Sequence, residues 1–92
     1  MNAMKIWDLE KRVISTIGLE LQVPTSRIHP GARIVDDLGG DVLSVERLVA
    51  ALESQFGVSL EASWVHDLSV WDVVRTCHKA WWRGAHEPRV AV

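Results

Sequence analysis

Between Asp41 and Gly57, the residues Val45, Leu48, Val49, Leu52 and Phe56 recur three and four positions apart, which puts them on one side of a helix. Two other segments repeat the pattern. Ile6, Leu9, Val13, Ile17 and Leu21 predict a first helix over 6–21, and Val70, Val73, Val74, Cys77 and Trp81 predict a last one. No stretch alternates apolar and polar residues as a half-buried strand would. Helical faces must therefore bury one another, and the expected class is all-α.

The breaks between stripes are equally specific. Pro24 ends the first helix at or before Val23, and Gly18 weakens that helix without forbidding it. Asp41 can cap the second helix and Gly57 can stop it. Residues 61–67 allow a short third helix. Ser69 is a candidate cap for the fourth, and Gly84 its expected end. Residues 23–40, with two prolines and three glycines, predict a long loop pinned by Ile28, Ile34, Val35 and Leu38. Four helices result, three longer and one short, in a domain over 1–84 followed by a flexible tail over 85–92.

A chain of 92 residues has no room for a cofactor domain beside a substrate domain. No apolar run approaches the ~20 residues of a membrane span, and Met1 to Leu9 lacks a signal-peptide core, so the cytoplasm is expected. A single cysteine, Cys77, excludes an internal disulfide and a multi-cysteine zinc site. It falls on the last apolar stripe, where a small buried residue is the expectation. His29, His66, His78 and His86 form no paired-ligand spacing, so no metal is expected. Gly39-Gly40 is not followed by the Gly-Lys-Ser/Thr of a phosphate loop. Of five tryptophans, Trp71 and Trp81 suit the core or its rim. Trp81 and Trp82 are adjacent, about 100° apart on a helix, so one of them should be exposed and is a contact candidate.

Charge is unevenly spread. The span from Asp36 to Asp67 is −6, with Arg47 its single base, whereas the rest of the chain is +4. A phosphate-binding surface needs clustered cations, so no nucleic-acid partner is expected, and the acidic middle should meet basic proteins.

One run stands above this background. Asp37-Leu38-Gly39-Gly40-Asp41-Val42-Leu43 leads directly into Leu48-Val49-Ala50-Ala51-Leu52-Glu53-Ser54-Gln55-Phe56-Gly57-Val58. It resembles the acyl carrier protein family, whose pattern is Asp-Leu-Gly-(Gly/Ala)-Asp-Ser-Leu followed by an acidic helix ending near Glu-x-x-Phe. Arg12-Val13, Ile17-Gly18, Leu21 and Val23 match the first helix and its end. Ala32, Val35 and Asp37 match the loop, and Leu68-Ser69 matches the turn before the last helix. The resemblance implies an acyl-carrier-type four-helix bundle with a long loop between its first two helices. It also implies a carrier rather than an enzyme. A serine at the start of the second helix would be esterified by 4′-phosphopantetheine, transferred from coenzyme A by a separate enzyme. The terminal thiol would then present thioester-tethered intermediates to fatty-acid or polyketide-type enzymes. A helix N-terminus suits the phosphodiester, because its N–H groups and dipole favour an anion.

At that position this chain has Val42, between the family's Asp41 and Leu43. Valine has no hydroxyl to esterify, so no phosphopantetheine is expected here. Ser44, about 200° round the helix from residue 42, should support the cap instead. Glu46 and Arg47 also depart from the pattern, placing an acid at an apolar position and a base at an acidic one. Val42 is compatible with an engineered block or with natural divergence, and Glu46 and Arg47 lean toward divergence. The resemblance implies a monomer that meets biosynthetic enzymes through Asp37, Asp41, Leu43, Glu46, Arg47, Ala50 and Glu53. The alternative is an uncharged interaction module that binds or regulates such an enzyme.

Overall fold

In the computed structural model, residues 6–57 and 59–86 are described. Helix α1 is Ile6–Leu21, α2 is Val42–Phe56, α3 is a single turn at Ala62–Val65, and α4 is Val70–His86. A 3-10 turn, Thr25–Arg27, lies in the α1–α2 loop. Among the described residues there is no strand, only an isolated antiparallel bridge between Arg33 and Ser69. The all-α class expected from the stripes is the one that forms, with the long loop between the first two longer helices that the family resemblance implied.

The first two helices have the predicted bounds. Helix α1 ends at Leu21, where Gln22 takes the left-handed conformation (φ 58°) and the Val23 N–H donates to the Gly18 carbonyl at 3.1 Å. Pro24 then prevents continuation. Helix α2 stops at Gly57, which is left-handed (φ 64°) and donates its N–H to the Glu53 carbonyl. Only glycine takes that conformation without a steric penalty.

Helix α4 corrects one expectation. It continues through Gly84 to His86, because an interior glycine costs only about 1 kcal/mol of helix propensity and does not by itself end a helix. The expected tail therefore begins no earlier than residue 87, and residues 87–92 fall outside the described set. Helix α3 is shorter than the expected span of 61–67: the His66 N–H closes on the Ala62 carbonyl, but the Leu68 N–H shifts to a tighter bond with Val65.

The stripes face inward. Val13, Ile17, Ile34, Val45, Leu48, Leu52, Val73, Val74 and Cys77 are buried, as are Val49 and Phe56. Leu21, expected among them, packs at the edge and is half-buried, because the chain turns away one residue later. Trp71 and Trp81 pack half-buried against the core, and Trp82 is 49% exposed. Helix α1 packs on α2 and α4, and the Gln55 side-chain amide donates to the Thr16 hydroxyl at 2.8 Å across the α1–α2 seam.

The long loop is held by hydrogen bonds to distant residues. Ile34 N–H donates to the Leu68 carbonyl, Val70 N–H to Ala32 and Trp71 N–H to Pro30, so the start of α4 is bonded to the loop. Ile28, Ile34 and Leu38 are buried beneath it, with Val35 half-buried. Gly40 is where the loop approaches its own backbone. A Cβ there would lie 3.0 Å from the Ile34 carbonyl oxygen, so a side chain would push the entry to α2 off the core.

Candidate functional site

Asp41 has extended backbone and precedes α2 as its cap. Its Oδ1 accepts from the Ser44 N–H at 2.8 Å, while Ser44 Oγ accepts from the Asp41 N–H at 2.9 Å. This reciprocal box satisfies two backbone donors that a bare helix start would leave open. Ser44 Oγ also donates to the Asp41 carbonyl at 3.1 Å, and Ser44 is only 8% exposed. Its hydroxyl is thus spent on the cap, as the sequence position implied.

The two residues inside the box are turned outward. Val42 is 63% exposed and Leu43 59% exposed, an apolar pair at the first turn of α2. The buried side of the helix is already filled by Ser44, Val45, Leu48 and Val49. Leu43, Glu46, Arg47 and Ala50 share the solvent side and are all exposed. Asp37 is exposed in the preceding loop, where one carboxylate oxygen accepts from the Arg33 N–H at 2.8 Å. Glu53 has another use: half-buried, its carboxylate accepts from the Leu60 N–H at 3.0 Å and ties residues 59–61, the connector to α3, back onto α2.

Residues absent from the sequence-based site join it here. Val42 and Glu46 form one wall of an open groove of 480 Å³, with Ala62, Ser63, His66 and Asp67 on the other. Ala62 and His66 are one helical turn apart, which the sequence shows. That this turn faces Val42 depends on how the connector folds, which it does not. Of the other candidates, Cys77 is buried, and burial pushes its thiol up to about 12, so no thiolate exists near neutral pH. Among the described residues no cluster of His, Cys, Asp and Glu could hold a metal ion.

The cap makes the site sensitive to acid. The Ser44 N–H, followed by the Ser44 side chain, holds the Asp41 carboxyl below its ordinary value of 3.8, and the Arg47 charge adds to this. A carboxyl depressed in the folded state stabilises it above the unfolded value, and that contribution is lost as pH falls through the folded one. Asp41→Asn should therefore unfold with a shallower dependence on pH below 3.8 than the parent, measured by circular dichroism. Ser44→Ala should cost about 1 kcal/mol at neutral pH, because it leaves the Asp41 N–H without its acceptor.

Residues 11–70, which include this cap and groove, match the family model described as a phosphopantetheine attachment site. The chain is similar to the acyl carrier protein of Sinorhizobium fredii (strain NBRC 101917 / NGR234), 35% identical over 74 residues that cover 79% of this chain and 95% of the relative. It is similar to the same extent to an acyl carrier protein of Rhizobium meliloti (strain 1021). A shorter match, 42% identical over 50 residues, links 54% of this chain to 64% of the acyl carrier protein of Solidesulfovibrio magneticus.

Proposed function

Since the chain belongs to the phosphopantetheine-attachment family, and within it to the acyl carrier proteins, we propose that it acts as an uncharged carrier-fold module in the cytoplasm, docking on a biosynthetic enzyme. Members of this family are carriers rather than catalysts, and they work by meeting biosynthetic enzymes. The observation that carries the reading is the pairing of Val42 with Ser44. The outward residue at the start of α2 has no hydroxyl, and the next hydroxyl along the helix, that of Ser44, is buried in the cap. The side chains present do not fit covalent attachment of phosphopantetheine.

The docking surface in this reading is the outer face of α2 and its approach: Asp37, Asp41, Leu43, Glu46, Arg47 and Ala50, with Glu53 at its edge. Its acids steer a basic partner from a distance, an effect that falls as salt shortens the Debye length to ~8 Å. Val42 and Leu43 give that partner an apolar contact where a prosthetic arm would otherwise leave the helix. Arg47 interrupts the acidity and disfavours enzymes that carry a basic patch opposite it.

The test is loading. Incubated with coenzyme A and a broad-specificity phosphopantetheinyl transferase, the chain should keep its intact mass. A gain of one phosphopantetheine, mapped to any residue of α2, would overturn the reading.

A second reading, a carrier blocked at one residue, is favoured by the intact capping box around residue 42. The two readings separate on binding: an uncharged module holds its enzyme as it stands, whereas a blocked carrier does so only after Val42→Ser and loading.

A further inference from the structure

Helix α4 carries a row of cations. Arg75, Lys79 and Arg83 recur every four residues along α4 and all are exposed. Four residues advance about 6 Å and turn about 40°, so the three cations form one row roughly 12 Å long. Among the described residues, none of them makes an ion pair within 4 Å; the single such pair is Arg33 with Asp36.

The row borders two open grooves that share Thr76 and Lys79. One, of 440 Å³, runs between α4 and the connector, with Leu60 and Ala80 as its apolar part and Arg83 and Glu61 at its rim. The other, of 330 Å³, is bounded by Arg75 with Leu68 and Asp72. Cations in a line beside apolar recesses suit a helix with carboxylates at the same four-residue repeat and an aliphatic side chain next to them.

We propose that α4 and these grooves form a second docking surface, for an acidic amphipathic helix of a partner protein. Charge complementarity selects this occupant. Glu61 and Asp72 line the same grooves, so an evenly charged phosphate chain would meet them as well as the cations. A flat bilayer surface would meet the cations but leave the recesses empty. A short helix can place carboxylates against Arg75, Lys79 and Arg83 and an aliphatic group against Leu60 and Ala80. This surface lies outside the α2 face, so it stands whether or not the chain can be loaded.

The probe is a labelled helical peptide with Glu at three positions four residues apart and Leu beside them, titrated with the full chain and read by fluorescence anisotropy. Saturable binding is expected, with amide chemical-shift changes concentrated on α4 and residues 59–61. The triple change Arg75→Gln, Lys79→Gln and Arg83→Gln should weaken it about tenfold, since each exposed pair contributes a fraction of a kcal/mol. Raising salt from about 50 to about 300 mM should weaken it as well. A peptide with Gln in place of Glu, tested on the unchanged chain, should bind at least tenfold less well. The proposal is overturned if the Glu peptide does not bind, if the Gln peptide binds equally, or if the triple change alters affinity less than twofold. It is overturned too if phosphatidylglycerol vesicles or a DNA duplex bind through the same row more tightly than the peptide.

Discussion

Val42→Ser should convert a chain that takes up no prosthetic group into one that gains a single phosphopantetheine, seen as a mass increase after incubation with coenzyme A and a transferase. The effect is all or none because the parent side chain has no oxygen to esterify. The fold should tolerate the change. Residue 42 is 63% exposed at the first position of α2, where substitution alters stability by about 0.5 kcal/mol or less. The new hydroxyl would stand at the positive end of the helix, which favours the phosphodiester that forms there. The cap that fixes this geometry uses Asp41 and Ser44 and makes no use of residue 42. Loading at residue 42 would show that one side chain separates this chain from a chargeable carrier. If the variant folds but stays unloaded, the barrier is transferase docking, and Glu46 and Arg47, exposed on the same face, are where it would arise. Restoring loading by Arg47→Glu in the Val42→Ser background would then place it at Arg47.

The parts of this site set by neighbouring residues were legible in the sequence. Asp41 as cap, Ser44 as its partner and Gly57 as the stop of α2 each depend on residues within four positions, and all three occur as expected. The inward stripe of α2 was legible for the same reason, since periodicity is a local property. Contacts that need the chain to return on itself were not. Nothing near Glu53 shows that Leu60 will bring its N–H to that carboxylate, so a residue placed on the docking face is also a structural tether. Nothing near Arg33 shows that it will bridge to Ser69 and donate through its guanidinium to the Asp67 carbonyl at 3.1 Å. The groove opposite Val42 was hidden for the same reason, because its second wall comes from residues 62–67, beyond the end of α2. The end of α4 was misread for another reason. A glycine is a weak stop unless its backbone turns left-handed, and among the described glycines only Gly39 and Gly57 do so.

Phe56→Ala should be the most damaging single truncation in the core. Phe56 closes the apolar stripe of α2 with 6% of its surface exposed, in the last turn before Gly57 redirects the chain. Its removal takes apolar surface out of the core and leaves a cavity that neighbouring residues only partly fill. Together these cost about 3–5 kcal/mol. A domain of this size has a total stability of roughly 5–14 kcal/mol, so the loss is at least about a fifth of what holds the fold together. The loss should also reach the site, because α2 carries Val42 and Leu43 on its outer side while Phe56 anchors its inner side. Leu19→Ala is the matched control: also an apolar truncation on a helix, but at a residue 75% exposed, it should change stability by less than about 0.5 kcal/mol. Urea unfolding followed by circular dichroism measures both. A Phe56→Ala loss below about 1 kcal/mol would mean that α2 does not bury this stripe, and the outward placement of residues 42 and 43 would fall with it.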